Sequence, residues 1–264
     1  MRIDGTLLAY RRWGNAGTPI VLLSGFAEPS WVWHEVGPLL AQGHRVFAVD
    51  LPPFGFSQRR GPYTLSHWEE LVRGFAERFG LVRPILVGHS LGAAIVVRYA
   101  LAYPHGTAGI VLLDGDALPV AGPGWFARLL LPPWYTSVFR IVTGADWIVR
   151  RVVSGAWPHA RLTHAVLANF EAPFRVAGTD AAFRSLLGSG IQGVSTADLE
   201  HVRTRRLVVW GAQDTVDSVA AGRKSAGLLH ARFVLVPNAG HLAMLGAPAA
   251  VAAAIASFAR GTGR

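Results

Sequence analysis

The sequence predicts an α/β fold: a mostly parallel, doubly wound sheet with an inserted helical cap. Two observations carry that expectation. Compact apolar runs recur along the chain, separated by stretches long enough to cross over as helices, and this alternation stops once, over one long central stretch. The runs are Pro19 to Leu23, Arg45 to Val49, Ile85 to Val87, Gly109 to Leu113, Leu207 to Trp210 and Phe233 to Val236. Their near-continuous apolar character is that of strands covered on both faces. Leu65 to Phe79, Leu91 to Tyr103, Val216 to Leu229 and Pro248 to Ala259 read as crossover helices, the last with proline in its first turn. Ahead of them, Ile3 to Trp13 alternates and carries an Asp4-Gly5 turn signal, so it reads as short leading strands, a hairpin at the sheet edge. Residues 118–195 hold no strand pattern but several helix-compatible segments with Trp125, Trp134, Trp147 and Trp157. We therefore divide the chain into a core of residues 1–117 and 196–264 and a helical cap of residues 118–195.

Composition narrows the function classes. At 264 residues the chain can bury a substantial single core, and although 51% of residues are hydrophobic, each apolar run ends well short of a membrane span. No integral membrane segment is expected. The first residues lack a signal-peptide pattern, which points to a cytoplasmic location. The absence of cysteine removes disulfides, thiolate nucleophiles and thiolate metal sites together. The net charge of +9 comes almost wholly from arginine, scattered in pairs such as Arg11-Arg12, Arg59-Arg60 and Arg150-Arg151. No basic tract with interleaved aromatics exists, so nucleic acid is not an expected partner. A solvated basic surface is the plain reading, and steering of an anionic substrate the sharper one. Oligomeric state is unreadable.

The chemistry is announced by Gly88-His89-Ser90-Leu91-Gly92, between an apolar run and a segment that can form a helix. A strand turning directly into a helix forces the middle residue of G-x-S-x-G into a strained conformation that only small neighbours tolerate. Ser90 is therefore presented as a nucleophile, with the helix N-terminus directed at a developing oxyanion. A serine hydroxyl also needs a histidine base and an acid to hold that histidine in the useful tautomer. His241 follows the run ending at Val236, and Asp214 follows the run ending at Trp210. In a parallel sheet all such loops emerge at one edge, so Ser90, Asp214 and His241 converge there. Asp217 and Asp114 are rival acids. Their ordinary uses are an N-cap or first-turn carboxylate and a turn aspartate before Gly115, and Asp116 reads the same way.

These motifs, in this order, resemble the α/β-hydrolase superfamily, whose triad runs Ser, acid, His. Asp50-Leu51-Pro52-Pro53-Phe54-Gly55-Phe56-Ser57 is similar to the family's D-x-P-G-x-G-x-S loop, and Gly240 to Pro248 to its G-H-x-x-x-x-E-x-P segment. Where many relatives have His-Gly after the third strand, this chain has Ser24-Gly25. The resemblance implies an oxyanion hole built from the backbone N–H groups of Phe26 and Leu91. The elbow and the ordered triad point to an ester-cleaving serine hydrolase; the histidines lack metal-ligand spacing, no cofactor is expected, and a cap rich in Trp, Phe and Leu suggests a small, largely apolar substrate. Gly25, His89, Trp125 and Trp134 are expected to border the pocket, although His89 is read as packed rather than catalytic and Glu28 as a solvated loop residue. Lactone and thioester hydrolysis, carbon–carbon hydrolysis and lyase chemistry share the same elbow, and a non-catalytic small-ligand binder is the alternative from another class.

Overall fold

The computed structural model describes residues 1–119, 139 and 142–261. Among these residues nine strands form: β1 (Arg2–Ile3), β2 (Thr6–Leu7), β3 (Tyr10–Trp13), β4 (Thr18–Leu23), β5 (His44–Val49), β6 (Ile85–His89), β7 (Gly109–Leu113), β8 (Arg206–Gly211) and β9 (Arg232–Val236). Seven of them make the main sheet in the order β3-β5-β4-β6-β7-β8-β9. Only β3 runs antiparallel, against β5, so the sheet is the mostly parallel one that the apolar runs predict. The leading hairpin differs in one respect from its expected place. β1 and β2 pair with each other as a separate two-stranded sheet around Asp4-Gly5, where both residues have positive φ, and it is β3 that edges the main sheet.

Period-two alternation divides each central strand between two apolar layers. Val21, Leu23, Leu86, Ile110, Leu112, Val208 and Trp210 face one layer, and Ile20, Leu22, Ile85, Val87, Val111, Leu113, Leu207 and Val209 face the other. On the first side pack α2 (Leu65–Arg78) and α3 (Leu91–Ala102), through residues such as Trp68, Phe75, Ile95 and Val96. On the second pack α1 (Val36–Leu40) and the C-terminal helix Pro248–Arg260, through Val36, Leu40, Val251 and Ile255. α3 buries nine of its twelve residues, which explains an apolar composition with little amphipathic contrast.

Between β7 and β8 the described residues contain no strand. They form α4 (Asp146–Ala156), α5 (His164–Glu171), a 3₁₀ turn (Ala172–Arg175) and α6 (Thr179–Ser189), a helical layer like the one the broken alternation predicts. Beyond it come α7 (Thr196–His201), α8 (Val219–Leu228), α9 (Ala243–Gly246) and the C-terminal helix, α10. α8 begins later than its apolar pattern suggests. Its N-cap is Ser218, whose hydroxyl accepts from the Ala221 amide at 3.1 Å, so Asp217 lies outside the helix and is not its cap.

Arg59 is the most heavily bonded of the side chains that join the helical layer to the sheet domain, beside Thr215 on the Gly155 carbonyl. Arg59 donates to the carbonyls of Phe54, Ser57 and Gly55, and across to the carbonyl of Pro173 and the hydroxyl of Thr179, at 2.6 to 3.2 Å. Burial lowers its pKa to about 10, against the pull of Asp50 and Tyr63, which still leaves it cationic at neutral pH. Nearby, the buried Asp50 carboxylate accepts from the Ser30 and Phe56 amides, so it pins the loop after β5 to the segment after β4.

Candidate active site

β6 ends at His89, α3 begins at Leu91, and Ser90 between them has φ 49° and ψ −118°, a conformation costly for a residue with a β-carbon. The surrounding glycines make the turn feasible. A β-carbon on Gly88 would collide with the backbone of Gly92, and one on Gly92 would lie 2.8 Å from the Leu23 carbonyl oxygen. The Leu91 amide is the first of α3, one of the N–H groups a helix leaves without an intrahelical acceptor. Before the elbow, the Glu28 amide bonds back to the Gly25 carbonyl, closing a tight turn around Phe26 and Ala27. A β-carbon on Gly25 would sit 2.9 Å from that of Ser90, so this turn lies directly against the serine.

The loops after β8 and β9 bring acid and base together. His241 Nδ1 and Asp214 Oδ2 are 2.9 Å apart, and both side chains are buried. The other oxygen of Asp214 accepts from the Val216 and Asp217 amides at 2.8 and 2.9 Å, which fixes the carboxylate with its free edge toward the imidazole. Asp217 is used differently: its carbonyl receives the Trp210 indole N–H, and burial raises the pKa of its carboxyl. Asp116 accepts from the Leu118 amide, an ordinary turn use. Among the described residues no hydrogen bond runs from the Ser90 hydroxyl to His241, and the hydroxyl opens into a cavity.

Asp114 is not a simple turn aspartate. It is fully buried with φ 46°, one oxygen accepts from the Gly211 amide at 2.6 Å, and the other has no hydrogen-bond partner among the described residues. Burial holds its pKa well above the usual carboxylate range; the Gly211 bond opposes the shift and the Asp214 charge adds to it. The neutral acid is thus favoured in the folded state. Because the folded protein keeps a proton that the unfolded chain releases above about pH 4, stability falls as pH rises from there toward the raised value. Asp114→Asn mimics the neutral acid, so in melting experiments it is expected to match or exceed the parent and to lack that acid-to-neutral loss. Asp114→Ala should lower stability by about 2 kcal/mol, having stranded the Gly211 amide.

Two residues expected at the pocket wall are placed otherwise. His89 is fully enclosed, with Nδ1 2.8 Å from Glu28 Oε2 and Nε2 2.7 Å from the His241 carbonyl oxygen, and Gly25 is packed against the elbow. Glu28 is likewise no solvated loop residue, because the same Oε2 accepts from the Gly25 amide at 2.9 Å. Burial alone would raise the Glu28 carboxyl, but the His89 charge and hydrogen bond outweigh it and leave it below its ordinary value. Burial likewise opposes charge on His89, and Glu28 outweighs that too, leaving its pKa raised. Trp125 and Trp134 lie outside the described residues. Ser24, standing where the resemblance expects histidine, accepts from the Trp33 indole at 3.1 Å.

Two cavities meet at Phe26. The smaller, about 210 Å³, is lined by Ser90, Leu91, Asp116, Leu118, Gln192 and Asp217 among others. The larger, about 360 Å³, lies under the helical layer and is lined mainly by Val149, Val153, Phe170, Phe174, Phe183 and Leu242, with Glu28 at its edge. Among the described residues no group of three His, Asp or Glu side chains is placed to hold a metal ion, and no helix is long and apolar enough to cross a membrane.

An elbow serine, an acid–histidine pair and an antiparallel-edged parallel sheet define one class of protein. Residues 18–248 match the α/β-hydrolase fold family, and the chain belongs to it. Over 261 residues it is 23% identical to the uncharacterized hydrolase YugF of Bacillus subtilis (strain 168), covering 97% of this chain and 95% of that one. A shorter match, 36% over 104 residues and 38% of each chain, is to 2-hydroxy-6-oxo-2,4-heptadienoate hydrolase of Pseudomonas putida. Among solved structures, the esterase RhEst1 from Rhodococcus sp. ECU1013 superposes with a TM-score of 0.80 at 24% identity, over 99% of this chain and 97% of that one.

Proposed function

We propose that this α/β hydrolase is a serine hydrolase cleaving ester-like acyl bonds of small, largely apolar substrates. The observation that carries the reading is the 2.9 Å contact between His241 and Asp214, on the loops that flank a serine held at positive φ. His241 takes the Ser90 proton as the hydroxyl attacks the carbonyl carbon, and Asp214 holds the ring and stabilises the imidazolium. The backbone N–H groups of Phe26 and Leu91 receive the oxyanion, whose negative charge also faces the N-terminus of α3. Collapse of the tetrahedral intermediate expels the alcohol with the proton from His241, and water, activated by the same base, then releases the acid. Unliganded enzymes often hold nucleophile and base apart until substrate is bound, which accommodates the open Ser90 hydroxyl.

The helical layer acts as a cap whose apolar cavity receives the hydrocarbon part, since the larger void offers about 360 Å³ and few polar groups. A panel of p-nitrophenyl esters tests this. kcat/KM is expected to climb from acetate toward medium-chain esters, and replacing Val153 on the cavity wall with tryptophan should move the preference back to short chains. Equal rates across the panel in both proteins would show that the cavity does not hold the acyl group. Carbon–carbon hydrolysis is the second reading, favoured by the local likeness to the Pseudomonas dienoate hydrolase; turnover of a vinylogous 1,5-diketone acid but of no ester would select it.

A further inference from the structure

Resting on that reading, we propose that Glu28 and His89 form a positioning pair that ties the oxyanion turn to the loop carrying the catalytic base. Glu28 Oε2 is a shared acceptor for the Gly25 amide and His89 Nδ1, at 2.9 and 2.8 Å. The far ring nitrogen, Nε2, meets the backbone carbonyl of His241 at 2.7 Å. One chain of contacts thus runs from the turn beside Ser90, through the residue preceding Ser90, to the backbone of the base itself. A β-carbon on Gly25 would sit 3.1 Å from His89 Nδ1, so the pair fills the space against the nucleophile.

The chemistry of the three atoms fixes a proton count. A carbonyl only accepts, so Nε2 must carry hydrogen; Nδ1, facing a carboxyl group, is satisfied only if one more proton lies between the two side chains. The pair therefore works as imidazolium with carboxylate, or as neutral ring with carboxylic acid. Other ionisable groups acting on it are His241, which favours the Glu28 carboxylate, and Asp214, which favours the His89 cation. Removing the shared proton sets lone pair against lone pair at one end. The pair holds between the lowered titration of Glu28 and the raised titration of His89, and titrates as a unit. A buried ion pair adds little stability for its desolvation cost, whereas this one spends its hydrogen bonds on the backbone of two catalytic loops. What it supplies is placement.

Three variants test this: Glu28→Ala, Glu28→Gln and His89→Ala, each first checked for a cooperative melt. In Glu28→Gln a single amide atom takes the place of Oε2: as oxygen it still accepts from Gly25 and from Nδ1–H of a neutral His89, whose bare Nε2 then loses the His241 carbonyl. The expected result is that Glu28→Ala and His89→Ala lower kcat about 10- to 100-fold with KM within about twofold, and slow fluorophosphonate labelling of Ser90 in proportion. Glu28→Gln, which keeps the turn but not the tie to His241, should lower kcat by less than Glu28→Ala does and lose the fall that the parent shows as pH rises through the His89 titration. A folded Glu28→Ala or His89→Ala with parental kcat, or a Glu28→Gln that keeps the parental pH profile, overturns the proposal. If the parent neither labels at Ser90 nor hydrolyses esters, the hydrolase reading fails instead. The pair is then judged by the downfield proton NMR signal of the His241–Asp214 bond: weakened or broadened away in Glu28→Ala and His89→Ala if the pair positions His241, unchanged in both if it does not.

Discussion

Ser90→Ala is expected to lower turnover of any accepted ester by about 10⁴-fold or more while leaving the fold and KM close to the parent's. The hydroxyl is the only atom removed, and the glycines that shape the elbow remain. Steady-state kinetics beside a melting curve reads both quantities, and a variant with parental rates would remove serine catalysis altogether. Ser90→Gly sharpens the test, because glycine adopts φ 49° without strain. It should be equally inactive yet more stable by about 1 kcal/mol, which separates the cost of presenting the nucleophile from its chemistry.

Asp214→Asn carries the second large effect, a fall in kcat of about 10³- to 10⁴-fold. The Val216 and Asp217 amides both donate to Asp214 Oδ1, so they hold the asparagine carbonyl there and turn its NH₂ toward His241. That donor selects the wrong imidazole tautomer, with hydrogen on the nitrogen that should accept the serine proton. Asp217→Asn should change kcat by less than about 10-fold, since its backbone, not its carboxyl, supports Asp214 and Trp210. Asp114 is the weaker rival, because His241 Nδ1 meets Asp214 rather than Asp114 and burial favours the neutral form of Asp114. Comparable losses in Asp214→Asn and Asp217→Asn would reopen the assignment of the acid.

The parts legible in the sequence are those that depend on local pattern. Apolar runs such as Pro19 to Leu23 and Gly109 to Leu113 had to be strands of a covered sheet, because their length and continuity suit nothing else between such crossovers. Loops following those runs share one edge by topology, so Asp214 and His241 could be placed near Ser90 before any coordinates. What stayed hidden are pairings across long sequence distances. Glu28 and His89 are 61 residues apart and belong to no shared motif, so a loop glutamate beside a turn carried no sign of its burial. Asp114 looked like a turn former because Gly115 follows it, and only the approach of β8 shows that its carboxyl is spent on Gly211. The cap of α8 escapes the local pattern for a similar reason, as the Asp217 amide is drawn to Asp214 and Ser218 takes over the helix end.

Arg59 gives the molecule a clasp made of charge against dipoles. Its five acceptors are four carbonyls and a hydroxyl, with the buried Asp50 as the nearby opposite charge, so most of the joint is hydrogen bonding that dissolved ions screen little. The stretch that carries Pro173 and Thr179 is therefore expected to stay fastened in brine much as in dilute buffer.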